Sequence, residues 1–459
     1  MSFLPLILIG LFMITSPSTH AQTNDSPSPY LDIQTVHSAS GLKAWLVQDE
    51  SVPVISVQFA FRGGSKLDSE DKQGLSILLA HLLDEGAGPY SAQAFQKKLN
   101  DRSISLSFNS GRDSLNGSFE TLSKYKEEAF ALLKTALTKP LFEEEAIERI
   151  RAANLSRIRD SLSDPEWRAS RLMLDRGYEG HPYALNSGGT LTSLKKITRD
   201  DIVEAHKNRL TLDRLVIGVS GDISAEELST VLDLVFGDLP DSNGPILVEN
   251  TNISNLDSVA LHPFETSQTI IQQVWPGVSR KDENYYDALV LNAAWGGLGF
   301  GSILTEDIRE DRGLTYGIYT SLSTLDHAPS LTLSTSTQHT NLTEMLERIT
   351  THRDALLTAP IAPDKLQLAK DYLIGSLPLN LTSNDQIASI LLNLQLDHLP
   401  IDYLDRRAAK IENVTAQSAQ EMAKKLLGTA PMTVLVGPAS IAQSLGQNAT
   451  VVEDLPNVE

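Results

Sequence analysis

The chain carries one pattern twice. Val57 to Ser65 reads as a strand ending in a glycine turn, and Thr269 to Ser279 repeats it, with Ser65 and Ser279 standing 214 positions apart. Near the end of each half comes a capped helix and then an apolar strand: Thr198 to Ile202 before Leu215 to Val219, and Thr415 before Thr433 to Gly437. Thr198 and Thr415 are 217 apart. Two anchors at nearly one offset imply duplication, so the chain must build two similar bodies rather than one large core. Each half mixes strands with long helices, such as 143–162 and 363–374. That mixture predicts an α+β class, each domain a mostly antiparallel sheet with helices packed on it. The N-terminal domain is placed at 30–240 and the C-terminal domain at 263–459, joined by a polar, Pro- and Gly-containing linker over 241–262.

Ahead of the first unit, residues 1–15 form an apolar run too short for a stable membrane span, and Ser16-Pro17-Ser18-Thr19-His20-Ala21 follows with small residues at a cleavage position. Residues 1–21 read as a signal peptide and 22–29 as a disordered leader. The alternative is a retained anchor. With no cysteine there is neither a disulfide framework nor a lipid anchor on a cysteine, and a bacterial periplasm fits best. A formal charge of −20 argues against a nucleic-acid partner.

The stretch Gly74 to Gly86 sets the chemistry of the first unit. Leu75, Leu78, Leu79, Leu82 and Leu83 make one apolar helical stripe, and Ile77, Ala80, His81 and Asp84 make the opposite one. A zinc-hydrolase helix needs ligands at i and i+4 of such a stripe, with a carboxylate base between them. Only His81 stands at such a position. A lone histidine of this kind is more often bonded to a neighbouring carbonyl or carboxylate than to a metal. A rebuilt site from His81 and Glu85 is the alternative, although no third ligand is visible.

Strands at 41–47 and 52–61, the turn Arg62 to Asp68 and then this helix form an order that resembles the insulinase/pitrilysin-type zinc peptidases, the inverzincins. The likeness is to their bacterial branch related to the mitochondrial processing peptidase. Further matching pieces are Glu179 to Tyr183, Ser187 to Thr190 and Gly218 to Asp222, so the likeness spans nearly the whole mature chain. It implies two homologous α+β domains forming half of a clam-shaped chamber. Active members carry H-x-x-E-H at this helix, which sets the degenerate positions at Ile77, Ala80 and His81. Their third ligand is a glutamate about 75 residues further on, where this chain has Asn154 to Arg159 and no carboxylate. His181, beside Pro182, reads as a turn residue rather than a ligand.

The second unit holds Trp295-Gly296-Gly297-Leu298-Gly299-Phe300-Gly301-Ser302. It lacks G-K-[ST] and any βαβ context, so its glycines suit close backbone approach to a neighbouring chain or peptide rather than phosphate binding. A helix then runs through Arg312, Gly313 closes it, and Leu314 to Tyr319 reads as the next strand. The resemblance implies that Arg309 and Tyr316 hydrogen-bond the substrate backbone near the scissile bond, with Arg312 a competitor for the Arg role.

Lost ligands beside a kept Arg/Tyr pair describe the noncatalytic, substrate-binding subunit of a periplasmic heterodimeric zinc metallopeptidase. The chain itself would bind no metal or other cofactor; zinc is expected in a homologous partner subunit, and a peptide is the shared substrate. Two alternatives stand beside this reading: a catalytically inactive homodimeric peptide-binding or scaffold protein of the same fold, and a peptidase with an atypical metal site.

Overall fold

The computed structural model describes residues 30–242, 244–445 and 449–459; the segments read as signal peptide and leader lie outside the described residues. Two six-stranded sheets form the frame. The first has the order β1-β2-β6-β3-β5-β4, from β1 (Gln34–His37), β2 (Lys43–Gln48), β3 (Val54–Arg62), β4 (Ser105–Ser110), β5 (Ser114–Leu122) and β6 (Leu215–Gly221). The second has the order β12-β7-β11-β8-β10-β9, from β7 (Ser258–Pro263), β8 (Thr269–Pro276), β9 (Ile318–Ser323), β10 (Ser330–Thr337), β11 (Met432–Gly437) and β12 (Ala449–Val451). Both sheets are mixed and mainly antiparallel: β2 runs parallel to β6 in the first, and β7 parallel to β11 and β12 in the second. The expected α+β class and its duplication are therefore present in the topology.

Strand alternation sets which face each sheet buries. In β5, Leu115, Phe119 and Thr121 point inward, while Asn116, Ser118 and Glu120 stay partly open. The inward face meets the helices Leu75–Leu82, Lys126–Thr138, Arg199–Arg209 and Ala225–Phe236 in one apolar core. Capping boxes start the two equivalent helices, Thr198 with Asp201 and Thr415 with Ser418, as the repeat implied.

Each half also lends a helix to the other. Pro165–Gly177, from the first half, packs on β8 and β11 of the second sheet; Asn384–Leu396, from the second half, packs on β2, β3 and β6 of the first. Gly218 makes the second contact possible, because a Cβ there would sit 2.4 Å from the Ala388 carbonyl oxygen. Gln395 Nε2 donates to Ile217 O (2.8 Å) and Arg62 donates to Gln395 O (2.9 Å). Each exchanged helix builds its own seam core, Ala169 and Leu172 against Val274 and Val434, and Ile387 and Leu391 against Trp45 and Val47. The connector is shorter than 241–262, since β7 already begins at Ser258.

At the seam lies a buried ammonium. Lys66, 5% exposed, donates to Asp113 Oδ1 (3.0 Å) of the first half and to Asp326 Oδ2 (3.2 Å) and His327 Nε2 (3.1 Å) of the second. Asp113, Asp326 and His327 have the makings of a cation site, and the lysine is the cation that fills it. Next to it, His181 Nδ1 accepts from the Tyr183 N–H (3.2 Å) and its Nε2 donates to Glu249 O (3.0 Å), so the connector is pinned to the clasp. His181 is thus the turn residue expected of it. His327 Nδ1 faces Asn250 Oδ1 at 3.1 Å.

Both imidazoles accept from an N–H donor and must be neutral here. Burial holds His181 and His327 below the ordinary histidine value, Lys66 adding to the effect on both, with Asp113 opposing it on both and Asp326 on His327. A folded-state value below the unfolded one gives stability that is complete above about pH 6.5 and is lost as pH falls through the folded value. The melting temperature should therefore drop on going from pH 7.5 to 5, and less in His327→Gln, which keeps an acceptor without a proton to gain. An equal drop in both proteins would remove His327 from the account. Lys66→Met should cost about 1–3 kcal/mol by taking the shared donor from Asp113, Asp326 and His327, read by denaturant unfolding.

Candidate functional site

The helix Leu75–Leu82 is fixed at its start by Asp68, whose carboxylate accepts from Gly74 N (3.1 Å), Ser76 N (3.2 Å) and Ser76 Oγ (2.7 Å) and pairs with Arg209 (2.7 Å). Burial raises the Asp68 carboxyl, and Arg209 pulls against that rise. The five leucines of the expected stripe are all buried, and so are Ile77 and Ala80, at 8% and 0% exposure. Where a ligand and a base would face a metal, this chain presents core hydrocarbon. His81 is half-buried and makes no side-chain hydrogen bond among the described residues, so the carbonyl or carboxylate partner expected for it is absent. Desolvation lowers its pKa first, and the guanidinium of Arg157 lowers it further.

Arg157 comes from the helix Glu144–Ser161, where a third ligand would lie, and donates to Asn154 Oδ1 at 3.0 Å. A cation beside His81 repels a second cation. Glu85 is also taken: it lies past the end of the helix, and Arg149 grips both its oxygens. Asp84, its carboxyl raised to about 6 by burial, accepts from Gln96 Nε2 at 3.1 Å. One imidazole, a paired glutamate and an arginine do not fit a zinc ion, which needs three protein ligands and room for water.

The second half keeps a different arrangement. Thr305–Asp311 is wound as a π-helix, a form that often marks functional sites, and Gly313 (φ 62°) ends it in the left-handed conformation. The strand expected from Leu314 begins only at Ile318, because residues 314–317 are tied down by side chains instead of a ladder. Leu314 N donates to Ile308 O (3.0 Å), Thr337 Oγ1 to Leu314 O (2.7 Å), and Thr335 Oγ1 to Gly317 O (2.9 Å). Thr315 Oγ1 accepts from Gly317 N at 3.1 Å. This fixed backbone holds Tyr316 out, 85% exposed.

Arg309 stacks over Phe300, itself 68% exposed, with its guanidinium carbon 4.3 Å from the ring centroid. It forms no ion pair among the described residues. Arg312, the other candidate arginine, is held by Asp307 (3.0 Å) and Glu344 (3.6 Å). Phe300 was not singled out in the sequence. Its place among glycines was the available signal, since a large apolar residue in such a loop has little core to enter.

If Arg157 depresses His81 through its charge, Arg157→Ala should move the His81 titration to higher pH, as followed by its imidazole proton resonances. An unmoved titration would leave burial as the sole cause. The same donor set predicts that His81→Ala leaves zinc content after dialysis unchanged.

Comparison with known proteins bears on both faces. The pattern described as "Insulinase (Peptidase family M16)" matches residues 43–190, and "Peptidase M16 inactive domain" matches 196–373. The chain is 27% identical over 395 residues to the "Non-peptidase homolog YmxG" of Helicobacter pylori, covering 84% of this chain and 86% of that protein. It is 22% identical over 346 residues to the "Uncharacterized zinc protease YmxG" of Bacillus subtilis, covering 75% and 84%. The crystal structure of a peptidase M16 inactive domain from Pseudomonas fluorescens superposes with a TM-score of 0.83 at 25% identity, covering 89% of this chain and 99% of that one. With two duplicated α+β units, a helix that keeps one histidine and no zinc-binding set, and these matches, the chain belongs to the insulinase (M16) peptidase family and has the fold of its non-peptidase members.

Proposed function

We propose that this chain is the noncatalytic, substrate-binding subunit of a heterodimeric zinc metallopeptidase acting on peptides or small proteins. The observation that carries this reading is the contrast between the two halves. The first lacks two ligands and the base, the third-ligand carboxylate being one of those ligands, while the second holds a propped-out Tyr316 and an Arg309 with no ion-pair partner among the described residues. An exposed tyrosine on a braced loop buries nothing and stabilises little, so its place is best accounted for by something it contacts. Both side chains donate hydrogen bonds, which suits a peptide carbonyl whose oxygen gains charge during cleavage.

The zinc and its attacking water would belong to a homologous partner subunit, and this chain would add donors across a shared chamber. The apolar run at 1–15 with small residues to Ala21, together with the absence of cysteine, supports a periplasmic setting. Among the described residues no helix is long and apolar enough to cross a membrane.

The test is reconstitution with a homologous chain that carries H-x-x-E-H, using a quenched fluorescent peptide. Neither this chain alone nor its Arg309→Ala variant should cleave. In the assembled enzyme, Arg309→Ala should lower kcat/KM by about 10²-fold, the scale of losing one transition-state donor, and Tyr316→Phe should lower it by less. Full activity in both variants would contradict the assigned roles. A stable homodimer that binds peptides and ignores the homologue would favour the scaffold reading instead.

A further inference from the structure

On the helix side of the first half lies an open cavity of about 340 Å³ that no step above uses. It sits between the start of Leu75–Leu82 and the last turns of Arg199–Arg209, and Arg214, just before β6, lines it from a third element. Leu67 and Leu75 give it an apolar wall. Its cations are Lys72, Arg209 and Arg214.

Two of these cations already have anions. Lys72 pairs with Asp201, whose carboxylate also accepts from Thr198 N (2.8 Å). Arg209 pairs with Asp68 (2.7 Å) and donates to Ser76 Oγ and to Leu67 O (3.3 Å). Arg214 differs. It is 8% exposed, and its one side-chain bond among the described residues is a long one, from Nη2 to Gly244 O of the connector (3.2 Å). Its buried Nε has no acceptor, and no carboxylate pairs with it among the described residues. An arginine cannot shed its proton, so its burial leaves a charge that calls for a counter-anion. Arg171 is buried as deeply, but the carbonyl oxygens of Ala184 and Leu185 close its fork.

Asn208, half-buried in the cavity wall, makes no side-chain hydrogen bond among the described residues, and its amide N–H₂ is a second available donor. Glu204 also lines the cavity, but it is exposed and water screens its charge.

We infer that this cavity is a binding site for a small oxyanion, a carboxylate or a phosphate group, held by Arg214 and Asn208. A planar guanidinium with open N–H groups matches the paired oxygens of either group. A cation would meet an unpaired positive charge, and an apolar molecule would leave that charge unpaired. Because the same guanidinium holds Gly244, an anion here would also steady the connector that joins the halves. The site stands apart from the peptide-binding reading, since it uses neither Arg309 nor Tyr316.

The experiment is isothermal titration calorimetry on the intact chain in a chloride-poor zwitterionic buffer, with inorganic phosphate as one probe and succinate as the other. Saturable one-to-one binding of either probe supports the site, and the tighter of the two identifies the head group. Arg214→Gln should weaken that binding by about tenfold or more, the scale of hydrogen bonds to a charged group. Asn208→Asp should weaken it too, by placing a carboxylate beside the anion, and it carries the test if Arg214→Gln does not fold. The melting temperature of the unaltered chain should rise with the bound anion and stay level in both variants. Binding of neither probe at millimolar concentration, or binding unchanged in the variants, would overturn the site.

Discussion

The architecture turns on a lysine ammonium with almost no water. A buried charge is tolerated only when paired, and Lys66 is paired from both sides of the molecule: Asp113 from one half, Asp326 and His327 from the other. This contact makes the relative placement of the halves specific in a way that apolar packing alone would not. Tyr183 strengthens the bond by donating to Asp113 and accepting from His327 N (3.2 Å). The exchanged helices then act on a frame already in register, each covering part of a sheet face that its own half leaves open. Two sheets that could have been separate domains become one body.

The same frame explains how a metal helix can lose its metal and keep its fold. In Leu75–Leu82 the positions that the resemblance gives to the family's first histidine and its glutamate hold Ile77 and Ala80, both buried. Charged groups that would have needed a zinc ion or water give way to hydrocarbon, which favours burial. Arg157 and Arg149 then occupy the surroundings with charge of the wrong sign for a cation. The helix is a structural part, anchored through Asp68 and Arg209.

Local signals were legible in the sequence, and long-range ones were not. The capping boxes at Thr198 and Thr415, the left-handed Gly313 and the leucine stripe of 75–83 rest on interactions within a few residues, so their spacing reads directly. The repeat at offsets of 214 and 217 disclosed two similar units for the same reason. The exchanged helices could not be read, because Pro165–Gly177 and Asn384–Leu396 look like ordinary amphipathic helices until their partner sheets are known. Lys66 follows Gly63-Gly64-Ser65 and has the look of a solvent-exposed turn residue; its burial depends on Asp326 and His327, which lie 260 positions or more away. The late start of β9 was hidden too, since Leu314 to Gly317 has strand-like composition but is held by Thr315, Thr335 and Thr337. Arg309 and Tyr316 came from resemblance. The geometry adds that one has no ion-pair partner among the described residues and the other is propped into the open.

The account's central claim is that this chain supplies binding and not metal. Native mass spectrometry of the protein isolated from its own cells, with complexes dissociated in the gas phase, tests that claim most directly. The expected spectrum is a one-to-one complex with a homologous chain and a single zinc that leaves with the homologue. Zinc travelling with this chain, or a metal-free homodimer with no homologue present, would contradict it.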